Sequence, residues 1–535
     1  MAITLPRRQH IPDILDCLAQ LSNDEVPTPP KLARAMLDLL PAEVWSNPDY
    51  KWLDPSCKSG AILREVATRL LKGLAEWEPD WTKRREHIFK HMLFGTAVTE
   101  MTGIISRRSV YCSRDVSGPH SVVRFDDAAG NLPFIATEHA FKHGRCTVCG
   151  APEGLERGAS RENYAYAFIH GSYPTEEMQD MKFDVIVGNP PYQIGTTDAS
   201  GDRATNVLPL YQLFVEKAIE LDPRYLVMIT PSRWFTGGKG LDEFRDRMIA
   251  DRRLRVLVDN PKIFDCFPGV KIRGGVSYFR WDRDRSGDCS VSTRIGGTVL
   301  STSVRDLREG DGVLIRDNRA ASIIQKVKSK SHECLADVVS PRDPFGQTVQ
   351  ANTPSKQRSF KGSVPLIYAT KVGFIRASQL DRNQDWVDHW KVLLPKASSG
   401  DTPVDNDGHI VDVVLGAPIA LAPGSACTYT YLVAGMFDTR EETENYAYYL
   451  ATKFVRFLVL QRKTTQNGTR EMFRFVPMLD MTRRWTDEDL YKKFKLTTDE
   501  RDYIEKSIKP RSVNLSLDSP IPASHLPGGS KYRAD

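Results

Sequence analysis

The chain is expected to fold as an α/β protein: a doubly wound, Rossmann-like sheet domain that carries an insertion, followed by a carboxy-terminal α+β region. Three observations point there. Between Lys51 and Trp281, short apolar runs alternate with amphipathic stretches, the pattern of strands joined by crossover helices. After about residue 300 that alternation weakens. At 535 residues the chain also exceeds what one hydrophobic core serves, so two or three packed units are expected.

The expected strands are 93–98, 121–125, 183–187, 225–230, 255–258 and 276–281. Helices are expected at 61–74, 208–221 and 241–249, where apolar residues recur every three or four positions. A first domain is placed at 1–300, with an insertion at about 128–180. Residues 340–365 are polar and rich in proline and glycine, and are expected as loop within an irregular α+β region at 301–435. A helical region follows at 436–510; its clearest segment, 444–461, sets Ala447, Leu450, Ala451, Phe454, Phe457 and Leu458 on one face. The composition of 511–535 predicts a flexible tail.

Composition excludes several classes. No run of 18 apolar residues occurs and the amino terminus lacks a signal-peptide pattern, so a cytoplasmic protein with no membrane partner is expected. Nine irregularly spaced cysteines in so long a chain do not form a disulfide framework. With 73 basic and 68 acidic residues the net charge is +5, which permits nucleic-acid binding without arguing for it.

The strongest chemical signal is Asn189-Pro190-Pro191-Tyr192, directly after the apolar strand that ends at Gly188. Ligands of open parallel sheets bind beyond the carboxyl ends of the strands, so a stiff turn there faces the site. Two prolines withhold two backbone donors, leaving the Asn189 side-chain oxygen and the Pro190 carbonyl as acceptors. An exocyclic amine held by two acceptors has its nitrogen lone pair drawn out of ring conjugation, while Tyr192 offers a ring to stack on. That arrangement suits amino methylation; a proline turn that merely ends a strand is the plainer reading.

A second element is Asp54-Pro55-Ser56-Cys57-Lys58-Ser59-Gly60, a tight turn between a short strand and a helix. Small residues such as Ser56 and Gly60 let a cofactor approach the backbone, and Asp54 offers a partner for an ammonium group. By itself this turn equally fits an ordinary strand-to-helix connection.

With these segments in this order, the sequence resembles the adenine-N6 DNA methyltransferases of bacterial restriction-modification systems. The resemblance implies a Rossmann-like methyltransferase domain, S-adenosylmethionine as methyl donor, and a carboxy-terminal target-recognition region. Val26-Pro27-Thr28-Pro29-Pro30 resembles that family's amino-terminal motif, which places Thr28 and Pro29 at the methionine end of the cofactor. Asp54 to Leu63 resembles its D-P-x-x-G-S-G-x-F-L motif, with Lys58 in place of the first glycine. The resemblance further implies Glu100 for the cofactor ribose and Asp126 for its adenine. The partners it implies are double-stranded DNA and a cognate restriction endonuclease acting separately.

Independent support for a DNA contact lies between Lys453 and Arg474, where six basic residues meet one acid, Glu471, among Phe454, Phe457 and Phe473. Lys453, Arg456 and Lys463 are expected to contact phosphates from one helical face; the bland reading is a solvated face. Within the insertion, Cys146-Thr147-Val148-Cys149-Gly150 forms a C-x-x-C-G turn that can place two thiolates on one tetrahedral metal, and a structural zinc is expected there. Cys112 and His139 are the expected remaining ligands, with His120 and His143 as alternatives. Two reduced cysteines at a turn would look the same.

Other functions compete. Methyltransferases of protein glutamine or of RNA base amino groups also suit the N-P-P-Y turn, but the long basic carboxy-terminal region favours DNA. A bifunctional restriction-modification enzyme would need a nuclease motif, and none is evident. A non-catalytic specificity subunit would have no need of the intact Asn189 to Tyr192 string.

Overall fold

The computed structural model describes residues 26–153, 166–178, 180–194, 208–268, 274–347, 359–369, 371–396, 414–463 and 468–522. The chain divides into two compact units, Met1–Asn318 and Arg319–Asp535.

The first unit is built on one eight-stranded sheet. Its strands are β1 (Trp52–Cys57), β2 (Leu93–Ala97), β5 (Val185–Gly188), β8 (Tyr225–Pro231), β9 (Leu254–Asn260), β10 (Val276–Asp282), β11 (Cys289–Ile295) and β12 (Thr298–Arg305). Two short hairpins, β3 (Phe141–Lys142) with β4 (Arg145–Cys146) and β6 (Gln193–Ile194) with β7 (Leu208–Pro209), lie outside it. The strand order is β12-β11-β9-β10-β8-β5-β1-β2. Strands β2, β1, β5 and β8 are mutually parallel, and β10 runs antiparallel between β8 and β9.

The central strands read as continuous apolar runs because they are covered on both faces. Trp52, Leu53, Val185, Ile186, Val187, Leu226 and Val227 have no accessible surface. Helices Ala61–Gly73 and Glu100–Tyr111 follow β1 and β2, and Tyr211–Glu220 and Asp242–Ala250 precede β8 and β9. From β1 the chain steps outward to β2 and then returns to the other side of β1 as β5. This reversal makes the crevice between the ends of β1 and β5 the topological switch point, where open α/β sheets bind ligands.

Two expectations for this unit are corrected. Residues 121–125 form no strand: their backbone bonds to the end of helix Glu100–Tyr111, with Val122 N on Tyr111 O at 2.9 Å, and the Phe125 ring packs edge-on to Tyr111 at 5.2 Å. The edge beside β2 is taken instead by residues 131–134, where Asn131 O accepts from Gly95 N at 3.0 Å and Phe134 bridges Ala97 in parallel. The domain boundary at 300 falls inside β12, which pairs along its length with β11, so the unit continues to Asn318.

The second unit is α+β. One sheet has the order β14 (Lys371–Arg376), β13 (Ser363–Tyr368), β17 (Ala426–Cys427). The other is β18 (Tyr431–Phe437), β15 (Trp390–Pro395), β16 (Ile419–Leu421), β19 (Asn514–Ser516). Leu366, Ile367, Ile375, Leu393, Leu421 and Val433 form its core between the strands. The loop expected at 340–365 therefore ends early, inside β13, and of its middle residues 348–358 lie outside the described residues.

The helix expected at 444–461 is two helices, Arg440–Ala451 and Lys453–Leu460. Thr452 takes φ −58° and ψ 149° and caps the second helix through Val455 N, while Asp487 accepts the exposed N–H groups of Lys453 and Phe454 at 3.1 and 2.8 Å. The tail expected from 511 is also corrected up to residue 522, since β19 joins β16 in parallel; 523–535 lie outside the described residues. Among the described residues, no helix is long and apolar enough to cross a membrane.

Candidate active site

Asn189 stands at the carboxyl end of β5 with 2% of its surface exposed. Its Nδ2 donates to Val26 O at 3.0 Å and to Thr28 Oγ1 at 3.2 Å, which fixes the plane of the amide. The opposite atom, Asn189 Oδ1, is buried and accepts no hydrogen bond among the described residues. A buried acceptor without a donor is costly, and such atoms call for an explanation. Here the explanation is a ligand that brings the donor.

Tyr192 closes the same turn. Its ring is buried, meets Phe267 edge-on at 6.4 Å, and has Lys58 Nζ at 5.8 Å from its centroid. Burial pushes its hydroxyl well above the usual phenol range, so it stays neutral. Pro190 and Pro191 are buried between Asn189 and Tyr192 and hold the two at a fixed spacing.

Asp54 lies within β1, the neighbouring strand, which continues to Cys57, and its Oδ1 accepts Ser56 N at 3.0 Å and Ser56 Oγ at 3.5 Å. Burial raises its pKa to about 6, against the opposing pull of the Ser56 amide and Lys58. The following turn leaves little room for side chains. Gly60 has φ +73°, and a Cβ there would stand 3.0 Å from the Ser106 backbone; one on Gly188 would stand 3.5 Å from Asp54 Oδ1. Thr28 is thus bonded to Asn189, and Asp54 and Ser56 stand against the Gly188 end of β5, while Gly60 packs on the helix Glu100–Tyr111.

Other expected residues fall elsewhere. Glu100 is exposed in the first turn of helix Glu100–Tyr111, three residues past Ala97, where β2 ends. Asp126 is exposed in the loop that packs on Tyr111, ahead of the edge segment 131–134 rather than at its carboxyl end, so the expected role toward an adenine is not supported by its place. The DNA-contacting face is corrected as well. Arg456 has no accessible surface and donates through Nη1 to Lys509 O at 2.6 Å. Lys453 is ion-paired with Glu505. Lys463 is half-buried, donates to Val414 O at 2.9 Å, and is pushed by burial to a pKa of about 8.

The insertion brings together His139, Cys146, Cys149 and His170, whose donor atoms all lie within 4.8 Å of one another. Cys112 is not among them: it is exposed, capping helix Glu100–Tyr111 in the left-handed region at φ 62°. His120 and His143 are not among them either. The residue that sequence reasoning missed is His170, whose Nδ1 is tied to Tyr166 O at 3.0 Å, leaving Nε2 directed at Cys146 Sγ, 3.6 Å away.

Residues 91–267, which include β2, the insertion and the Asn189 turn, match the model of the Eco57I restriction-modification methylase family. An uncharacterized adenine-specific methylase of Mycoplasma pneumoniae is 32% identical over 375 residues, covering 65% of this chain and 87% of that protein. Among solved structures, a type I restriction-modification methyltransferase subunit from Streptococcus thermophilus aligns at 13% identity and TM-score 0.33, over 54% of this chain and 53% of that one. The type IIG restriction endonuclease BpuSI aligns at 12% identity and TM-score 0.39, over 92% of this chain and 68% of that one. The chain thus spans about half the length of the first of these structures. From its likeness to the Mycoplasma protein along most of that protein's length, the chain belongs to the adenine-specific methylases of the restriction-modification type.

Proposed function

We propose that this protein transfers a methyl group from S-adenosylmethionine to N6 of adenine in double-stranded DNA, as the modification component of a restriction-modification system. The observation that carries this reading is the buried, undonated Asn189 Oδ1 at the switch point, beside an aromatic ring. Bound in the crevice at Asp54, the cofactor would supply an electrophilic methyl group. Asn189 Oδ1 and the Pro190 carbonyl accept the two N6 protons and so turn the nitrogen lone pair toward that methyl. Tyr192 stacks on the adenine, which must leave the duplex to reach so recessed a turn. The second unit, from Arg319, carries target recognition, and a cognate endonuclease acts as a separate protein.

Modification-sensitive sequencing of DNA from a host expressing the gene tests this directly. The expected result is N6-methyladenine at one short sequence, lost with Asn189→Ala. Unmodified DNA together with a methylated glutamine in host proteins would transfer the same turn to the rival substrate.

The carboxylate of Asp54 also makes cofactor affinity pH-dependent. Its folded pKa is raised by burial to about 6, so it is mostly ionised at pH 7.5 and mostly protonated at pH 5. Only the ionised form attracts the ligand ammonium. Affinity for S-adenosylhomocysteine is therefore expected to fall by about tenfold between those pH values, with about one proton released per ligand bound at the lower pH. Without ligand the sign is reversed: the raised pKa favours the protonated fold, and that stability is lost as pH rises through about 6. Titration calorimetry in buffers of different ionisation enthalpy reads both quantities. A flat profile identical to that of Asp54→Asn would remove Asp54 from the cofactor site.

We propose as well that His139, Cys146, Cys149 and His170 hold a structural zinc, to which no step of the reaction is assigned.

A further inference from the structure

We propose that Arg342 and Lys396, gathered on the Tyr429 ring, contact backbone phosphates of DNA and so position the duplex on the second unit; this rests on the reading above that the unit carries target recognition. Residues 428–430 join β17 to β18, and Tyr431 N closes the turn on Thr428 O at 3.0 Å. Lys396 follows β15 directly, donates its backbone N–H to Thr430 O at 2.8 Å, and sets its Nζ 5.3 Å from the centroid of the Tyr429 ring. The guanidinium of Arg342 stands 5.8 Å from the same centroid. Its loop is pinned on both sides, since Ser340 N donates to Val433 O at 2.9 Å and Gln347 O accepts from Tyr429 N at 3.2 Å. The tip of the hairpin that joins β13 to β14 packs on the turn as well, with Ala369 N donating to Thr430 Oγ1 at 3.0 Å, and that hairpin carries the exposed Lys371.

Charge identifies the ligand. Lys396 is 9% exposed, and burial together with the Arg342 guanidinium holds its ammonium below the usual lysine range. Among the described residues, no carboxylate acts against these two effects, and neither cation has an ion-pair partner. An aromatic face attracts both cations without neutralising either. Recessing a lysine beside a second positive charge costs stability that only an anion offsets. An anion that suits a forked guanidinium and a compact ammonium at once is a phosphate, and for a DNA methyltransferase the phosphate at hand is the duplex backbone. A base edge carries no net charge and would leave the repulsion between the two cations in place.

The test is fluorescence anisotropy of two labelled duplexes, one carrying the methylated site and one of unrelated sequence, titrated with the full chain between about 0.1 M and about 1 M salt. Losing one phosphate contact flattens the slope of log affinity against log salt by about 0.9, so Arg342→Ala and Lys396→Met should each weaken both duplexes about eightfold at 0.1 M salt and converge on the wild type near 1 M. Arg342→Lys keeps a point charge and should retain most of the affinity, as a phosphate allows and a bidentate base contact does not. The melting temperatures of the two charge-removing variants should match or exceed that of the wild type, because a like-charge repulsion is relieved. A wild-type salt slope in Arg342→Ala, whose side chain is exposed, overturns the proposal and leaves the target-recognition reading standing. So does a loss confined to the methylated site at constant slope, which would make Arg342 a reader of bases, and so does salt-independent weakening with a lowered melting temperature, which would mark packing residues. Failure of the wild type to bind either duplex at the lowest salt overturns the target-recognition reading itself, and this proposal with it, which is a distinguishable result.

Discussion

Asn189→Ala is expected to slow single-turnover methyl transfer by about a hundredfold or more while cofactor and DNA affinity stay within about twofold. The size of the effect follows from where the hydrogen bond strengthens. As the methyl group approaches, positive charge grows on the amine nitrogen and its protons become better donors, so Asn189 Oδ1 stabilises the transition state more than the bound base. The amide is pre-aimed, since Nδ2 is tied to Val26 O and Thr28 Oγ1, and among the described residues Oδ1 has no partner to give up. Tyr192 should fail differently. Tyr192→Ala removes the stacking that offsets base extrusion, raising the Michaelis constant for DNA, whereas Tyr192→Phe keeps the ring and most of the activity. Rapid-quench methyl transfer, with 2-aminopurine fluorescence at the target base, separates the two. A wild-type transfer rate in Asn189→Ala would place the catalytic centre elsewhere.

The two turns of the candidate site were legible because their signals are local. An apolar run ending in Asn189-Pro190-Pro191-Tyr192 dictates a strand and a rigid turn whatever lies beside it; one strand away the turn is shorter than expected, since Asp54 to Cys57 remain in β1 and only Lys58 to Gly60 lead into the helix. What the sequence does not carry is the choice of neighbour. Residues 121–125 are apolar enough for an edge strand, yet the pairing beside β2 goes to 131–134, and Asp126 lies in the loop ahead of that segment. One signal was present and unused. Gly296 and Gly297, both at positive φ, join β11 to β12 in the pattern of a two-residue hairpin and would have moved the domain boundary past 300.

The basic helix shows the same limit in electrostatic form. Charge density along a segment says nothing about partners that arrive from elsewhere, and Glu505 and the carbonyls of Lys509 and Val414 come from other elements. The assumed phase was also wrong. A break at Thr452 starts a new helix at Lys453, so faces counted through from Ala447 no longer apply, and Arg456 points inward.

Zinc retention is expected to depend on His170 and not on Cys112. The two resolved sulfur-to-nitrogen approaches, Cys146 Sγ to His170 Nε2 at 3.6 Å and Cys149 Sγ to His139 Nδ1 at 3.5 Å, match the edge of a tetrahedron. Zinc–sulfur and zinc–nitrogen bonds of about 2.3 and 2.0 Å give an edge of about 3.5 Å. The surroundings are prepared in the same sense. Val148 N donates to Cys146 Sγ at 3.4 Å, Gly150 turns the chain at φ +72°, and Tyr166 O orients the His170 ring from behind. His170 escaped sequence reasoning because 20 residues and no metal-spacing pattern separate it from Cys149, 12 of them outside the described residues. Structural zinc binds with about 10 kcal/mol or more of apparent free energy, so losing one ligand should be felt throughout the insertion. Elemental analysis of the wild type and Cys112→Ala should find about one zinc per chain. His170→Ala and Cys146→Ser should retain little, and limited proteolysis should cut them within residues 134–173 long before it cuts the wild type. Full zinc in His170→Ala, with loss in Cys112→Ala, would restore the ligand set that the sequence alone suggests.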